Sequence, residues 1–328
     1  MKKRRLGPFT VSALGLGCMG MSQSYGSFDD AESARILLRA VDVGYTFFDT
    51  AALYGFGHNE SLLGRTLKVR RHDIVLASKC GLFKDAQGRR SVDGRPETLK
   101  RTCEEGLQRL QTEVIDLYYL HRKDPNVPIE DSVGALAELV QAGKIKAIGL
   151  CEVSAETLRK AHHVHPIAAL QSEYSLWTRN PESGVLPACR ELGIGFVAYC
   201  PLGRGFLTGT VRNSTQLGPE DLRRSMPRFQ EENLPVNIRL LEEFAAIARA
   251  RGCTMAQLAL AWLLSRGEDI IPIPGTKQLR YMEENAAALD VVLPAEDCRR
   301  LEQLINPATV AGARYNADFT RTLDSEQG

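Results

Sequence analysis

Val114-Ile115-Asp116-Leu117-Tyr118-Tyr119-Leu120-His121 is a short apolar run ending in a polar residue. An amphipathic helix near Ile129–Ala142 follows, and then a second apolar run, Ile145-Lys146-Ala147-Ile148-Gly149. Strand, helix and strand in that order make one β–α–β unit, whose two strands pair in parallel and are covered by helices on their outer side.

The same unit repeats in both directions. Upstream, Ser12–Leu16 leads to a helix near Asp30–Val43, Tyr45–Asp49 to one near Asn59–Lys68, and Asp73–Lys79 to one near Arg95–Leu110. Downstream, Ile145–Gly149 leads to Ser154–His163, and Ala168–Gln171 to a helix near Gly184–Leu192. Ile194–Tyr199 is followed by a polar loop over 203–235 and two helices near 236–251 and 255–265. Ile270–Ile273 and a helix near 278–289 close the series, with a last helix near 295–305. Eight strand–helix units in 328 residues predict an α/β fold of the (β/α)8 TIM-barrel class, with an N-terminal β-hairpin and extra C-terminal helices. No Ser/Gly/Pro-rich linker divides the chain, so residues 1–328 are expected to form a single domain. Two readings stand for the tail from 306 to 328: it caps the pocket, or it is mobile.

Composition narrows the function. Lys plus Arg number 41 and Asp plus Glu 40, a formal charge of +1. That balance argues against nucleic acid or an anionic membrane as the main partner. No stretch approaches the ~20 apolar residues needed to span a bilayer. Lys2-Lys3-Arg4-Arg5 before the apolar run Val11–Met21 has the outline of a secretory leader. Gly15, Gly17 and Gly20 interrupt the run, however, and a hairpin feeding a first core strand fits better. Eight scattered cysteines without a C-x-x-C pair read as reduced thiols, which points to a cytoplasmic protein.

Gly15-Leu16-Gly17-Cys18-Met19-Gly20 matches the G-x-G-x-x-G dinucleotide pattern. That pattern has a mechanism only where its glycines open a helix aimed at pyrophosphate. Here Ser22 to Ser27 intervene before any helical pattern, so a Rossmann domain is rejected. Gly17, Cys18 and Met19 keep another role, as backbone able to approach a ligand at the barrel rim.

In a (β/α)8 barrel the chemistry sits at the carboxyl ends of the strands. Asp49, Lys79 and His121 end strands two, three and four, and Tyr54 lies five residues past Asp49. Together they make a proton-transfer set. A phenol with a pKa near 10 is a poor acid at neutral pH, and an adjacent ammonium is expected to lower that value. Lys79 fills that place, Asp49 holds the lysine, and His121 is suited to bonding a carbonyl oxygen. No nucleophile–base pair points to acyl transfer, and no ligand spacing points to a metal.

At these residues the chain resembles the aldo-keto reductase superfamily. The resemblance is carried by Phe48-Asp49-Thr50-Ala51-Ala52-Leu53-Tyr54-Gly55, by Leu76-Ala77-Ser78-Lys79, and by Asp116 to His121. It continues through Gly143 to Gly149, Gln171 to Leu176, Tyr199 to Gly205 and Ile273 to Thr276, and so spans the chain to about residue 300. It implies NADP(H)-dependent reduction of a small-molecule carbonyl substrate, with Tyr54 as general acid. The cofactor would lie extended across the barrel mouth. By position, Gln171 would bond the nicotinamide carboxamide, Tyr199 would stack on its ring, and Cys200, Pro201, Leu202 and Arg204 would follow the pyrophosphate. Gly275 would begin the adenosine site, Glu284 and Asn285 would meet the adenine, and Lys277 and Arg280 would pair with a 2′-phosphate. Many members have Ser-Asn where this chain has Cys151-Glu152, which makes Glu152 a candidate acceptor for the carboxamide. Cys200 stands where Ser is more usual. The resemblance also admits a slow-turnover NADP(H)-binding regulatory or sensor subunit.

Overall fold

The computed structural model describes residues 1–84 and 90–326, with the side chains of Lys84 and Asp318 outside that description. The chain opens with an antiparallel hairpin, β1 (Lys3–Leu6) and β2 (Phe9–Ser12). The barrel strands start at β3 (Leu16–Gly17), followed by α1 (Asp30–Val43), β4 (Phe47–Asp49), α2 (His58–Leu67) and β5 (Val75–Cys80). A second hairpin, β6 (Leu82–Lys84) and β7 (Arg90–Val92), precedes α3 (Pro96–Leu110). Next come β8 (Ile115–Leu120), α4 (Ile129–Gln141), β9 (Ile145–Cys151), α5 (Ala155–Val164), β10 (Ile167–Glu173), α6 (Val185–Leu192) and β11 (Gly195–Tyr199). α7 (Leu234–Ala250), α8 (Met255–Ser265), β12 (Ile270–Pro272), α9 (Leu279–Ala287), α10 (Ala295–Leu304) and the short α11 (Ala317–Thr320) complete the described chain.

Eight parallel strands run in the order β3–β4–β5–β8–β9–β10–β11–β12. The sheet closes where Gly15 N donates to Pro272 O at 2.9 Å and Gly17 N to Pro274 O at 3.3 Å. This is the (β/α)8 barrel that the repeating units predict. At the seam the backbones are nearly in contact, since a Cβ on Gly17 would lie 2.8 Å from Ile273 O. Only glycine permits that approach.

Local chemistry accounts for the helices. Asp29 caps α1 by accepting from Glu32 N at 2.7 Å, and Gly44 ends it in the left-handed region at φ 102°. The α1 face formed by Ile36, Leu37, Ala40 and Val41 is buried. Thr254 and Gln257 form a reciprocal capping box at the start of α8, whose apolar residues are buried. Inside the barrel, Phe47, Ala77, Leu117, Tyr119, Ala147, Ala169, Val197 and Ile271 make the central core, with Leu6 and Val11 of the hairpin packed against it from below. Each such fully buried Leu or Phe contributes about 1.5–3 kcal/mol. Arg4 fixes the hairpin by donating to Ile270 O and, at 2.8 Å, to Leu264 O.

Two expectations are corrected. Ser12 belongs to the hairpin, not to the first barrel strand, because it pairs with Lys3 and exchanges hydrogen bonds with Thr46. The β6–β7 hairpin was not anticipated between Lys79 and Arg95. The 203–235 stretch holds short 3-10 turns at Gly203–Thr208, Ser214–Gln216, Leu222–Ser225 and Pro227–Phe229. No helix among the described residues is long and apolar enough to cross a membrane.

Candidate active site

Strand register brings the ionisable residues to one level. Gly17 pairs with Asp49, Lys79 with Tyr119, Gln171 with Cys151 and Glu173 with Tyr199. Asp49, Lys79, His121, Gln171 and Tyr199 therefore meet at the carboxyl mouth of the barrel. Tyr54 arrives from the loop after β4, which turns through left-handed Gly55 and Phe56.

Lys79 is the hub. Its Nζ pairs with Asp49 Oδ1, and donates to Thr50 O at 2.8 Å and to Tyr54 Oη at 3.2 Å. Gln171 Nε2 donates to the other Asp49 oxygen at 2.7 Å. The Tyr54 and His121 rings meet edge to face, with centroids 6.0 Å apart. His121 Nδ1 is buried and has no partner among the described residues.

Burial sets the protonation states. It pushes the Tyr54 phenol up to about 12, while Lys79 pulls the other way. The expected net lowering of this phenol is therefore not observed, because desolvation outweighs the ammonium. Tyr54 stays protonated and able to donate. For Lys79, burial opposes the charge, yet Asp49 and Tyr54 outweigh it and hold its pKa above the ordinary value. His121 is driven well below its usual range by burial, reinforced by Arg122, Lys79 and Arg90, so its imidazole is neutral at pH 7.

A cavity of about 550 Å³ starts at Asp49, Tyr54 and His121 and extends to Glu284 and Asn285. Gly17, Cys18, Met19, Gln171, Tyr199, Cys200, Pro201, Leu202, Arg204, Gly275 and Lys277 also line it. The Tyr199 ring is fixed through its hydroxyl, which bonds Glu152 at 2.8 Å and Tyr315 at 3.1 Å. Lys277 reaches across to Tyr25 O and Ser27 O.

A sequence model of the aldo/keto reductase family matches residues 13–306. The chain belongs to this family. It is 45% identical over 311 residues to the probable aldo-keto reductase 1 of Glycine max, covering 94% of this chain and 89% of that one. It is 44% identical over 318 residues to the aldo-keto reductase yakc (NADP(+)) of Schizosaccharomyces pombe, covering 95% and 94%. Among solved structures, a glycerol dehydrogenase from Gluconobacter oxydans matches with a TM-score of 0.84 and 29% identity over 92% of this chain and 94% of that one. An aldo/keto reductase from Klebsiella pneumoniae, solved in complex with NADP and acetate, matches with a TM-score of 0.73 and 28% identity over 96% and 99%.

Two residues that the aldo/keto reductase resemblance assigned to cofactor contact do not line the cavity. Glu152 is fully buried, at φ 54°, and its carboxylate is taken up by others. It accepts from Arg314 at 2.8 Å, from Tyr199 Oη, from Ser325 Oγ and from the Glu173 backbone. Burial favours its neutral form, but Arg314 and Arg122 hold its pKa down to about 2. Arg280 lies on the outer surface of α9, bonded to Gln278 and stacked on Tyr281.

The C-terminal tail supplies side chains that no local sequence pattern identifies. Arg314 binds Glu152, Asp324 binds Lys123 at 2.8 Å, and Ser325 N donates to Glu152 O. These contacts set Tyr315 and Phe319 into the cavity wall. Arg90 and Arg122 line the same wall, and Arg223 and Tyr25 line the far end. Nothing in local spacing marks these residues, because their partners lie far away in the chain. Of the tail, residues 327–328 lie outside the described residues.

The cavity fits an extended dinucleotide. Its volume is in the range of cofactor sites. Gly17 and Gly275 present bare backbone along its floor, while Lys277 offers a cation that forms no ion pair with a described carboxylate.

Proposed function

We propose that this protein reduces aldehydes or ketones to alcohols with NADPH. The reading rests chiefly on the single ammonium of Lys79, shared between Asp49 and the Tyr54 hydroxyl oxygen beside His121. NADPH would supply the hydride to the carbonyl carbon. Tyr54 Oη delivers the proton to the carbonyl oxygen. Lys79 already donates to Tyr54, so the phenolate left behind lies next to a cation until solvent reprotonates it. Asp49 and Gln171 keep Lys79 charged and in place. Neutral His121 orients the carbonyl oxygen by hydrogen bonding.

For the cofactor, Gln171 and Tyr199 would hold the nicotinamide, Cys200 to Arg204 the pyrophosphate, and Gly275 to Asn285 the adenosine. Lys277 would take the 2′-phosphate. The Schizosaccharomyces pombe relative, named for NADP(+), and the Klebsiella pneumoniae relative, solved with NADP, support this choice. Incubating the protein with NADPH and a panel of aldehydes tests the reading. Aldehyde-dependent NADPH oxidation is expected. Tight NADPH binding without turnover would instead indicate a nucleotide-sensing protein.

A further inference from the structure

Four carboxylates at or behind the cavity wall are each paired with a cation, while Glu284, at the far end, accepts from Thr254 Oγ1 at 2.7 Å. Asp49 faces Lys79, Glu152 faces Arg314, Glu173 faces Arg204 and Asp221 faces Arg223. Two cations are left over at the His121 end. Arg122 is 6% exposed, and its Nη1 donates to His121 O at 2.6 Å and Cys151 Sγ at 3.2 Å. Its Nε and Nη2 donate to no described residue. The Arg90 guanidinium lies 4.2 Å from the centre of the Phe319 ring, which in turn stacks on Tyr315. Neither arginine forms an ion pair with a carboxylate whose side chain is described, although Glu152, already held by Arg314, lies within electrostatic range of Arg122.

Uncompensated buried charge is costly, and folded proteins usually pair it or use it to bind an ion. Both arginines line the cavity, and both act electrostatically on His121. They therefore lie at the carbonyl end, whereas Lys277 marks the opposite end. A guanidinium fork matches an oxyanion and binds it through two parallel hydrogen bonds.

We propose that the substrate is a carbonyl compound that also carries an oxyanion, a carboxylate or a phosphate ester, received by Arg122 and Arg90 while its carbonyl meets Tyr54 and His121. The Phe319–Tyr315 stack gives the intervening carbon skeleton a flat apolar wall. This inference rests on the reductase reading above.

The test compares matched pairs: 3- and 4-formylbenzoate against their methyl esters, and glyceraldehyde 3-phosphate against glyceraldehyde. In the wild type, kcat/KM is expected to favour the anionic member of at least one pair by about tenfold or more, equivalent to about 1.4 kcal/mol. Which pair shows the preference identifies carboxylate or phosphate as the group received. The preference is expected to collapse in Arg90→Gln and in Arg122→Gln, and to survive largely in Arg90→Lys. The ratio within each variant is independent of how much active protein it yields. Turnover of the neutral aldehydes with no anionic preference would overturn this inference and leave the reductase reading standing. A preference that persists in both Gln variants would also overturn it, as would a loss of NADPH affinity in place of the preference. Absence of turnover with every aldehyde would remove both.

Discussion

The Lys79 ammonium and the Tyr54 phenol are 3.2 Å apart, both buried, and Asp49 anchors the lysine from its other side. The arrangement holds a protonated donor next to the charge that will stabilise its conjugate base. It also places a buried ion pair at the barrel mouth.

Breaking that pair is expected to cost stability as well as activity. Asp49→Asn leaves a buried ammonium without its counter-charge and should destabilise the fold by about 3–5 kcal/mol in urea unfolding. The double substitution Asp49→Asn/Lys79→Met should cost less than the sum of the two single changes, because it removes both charges. Additive losses would contradict the pairing.

His121 gives stability a pH dependence of known sign. Its folded pKa is depressed by burial and by Arg122, Lys79 and Arg90, whereas the unfolded imidazole titrates near 6.5. Below pH 6.5 the unfolded chain takes up a proton that the folded chain refuses, so stability falls as the solution is acidified. Between roughly pH 6 and 5 the wild type should lose up to about 1.4 kcal/mol per pH unit more than His121→Gln. Parallel slopes in the two proteins would show that His121 is not held neutral.

The buried Glu152–Arg314 pair holds the tail, and with it Tyr315 and Phe319. In Glu152→Gln, trypsin should cut after Arg314 and Arg321 at concentrations that leave the wild type intact. The pair should also weaken in acid, since Glu152 is held ionised to about pH 2 and its ordinary pKa is 4.5. That contribution is complete above pH 4.5 and is lost as pH falls toward 2. An unchanged digestion pattern would mean that the tail is held by other contacts.

Lys277 and Arg280 were both expected at a 2′-phosphate, but only Lys277 lines the cavity. Lys277→Ala should weaken NADPH binding by about tenfold or more, as expected for one charge-assisted hydrogen bond, and weaken NADH binding much less. Arg280→Ala should have the smaller effect. Equal losses for NADPH and NADH in Lys277→Ala would remove the 2′-phosphate assignment. Fluorescence titration of the two cofactors measures both.

The barrel was legible because its strands and helices are local patterns. Asp49, Lys79 and His121 were legible for the same reason, since the strand ends that carry them are marked in the sequence. Glu152 was misread because a strand-end position says nothing of a partner such as Arg314, 162 residues away. Arg90 and Arg122 have no local signature, because what sets them apart is a three-dimensional property: both line the cavity, and neither pairs with a carboxylate whose side chain is described. The Tyr54 protonation state was misjudged because its neighbours can be read from sequence, whereas its burial cannot.

The central claim is that Tyr54 delivers the proton to the carbonyl oxygen. Single-turnover oxidation of NADPH by an aldehyde, comparing wild type with Tyr54→Phe, tests it most directly. The account predicts a loss of at least about 100-fold in the rate of the chemical step, in the range typical of a positioned general acid, with NADPH affinity retained. A Tyr54→Phe protein that reduces aldehydes at the wild-type rate would contradict it.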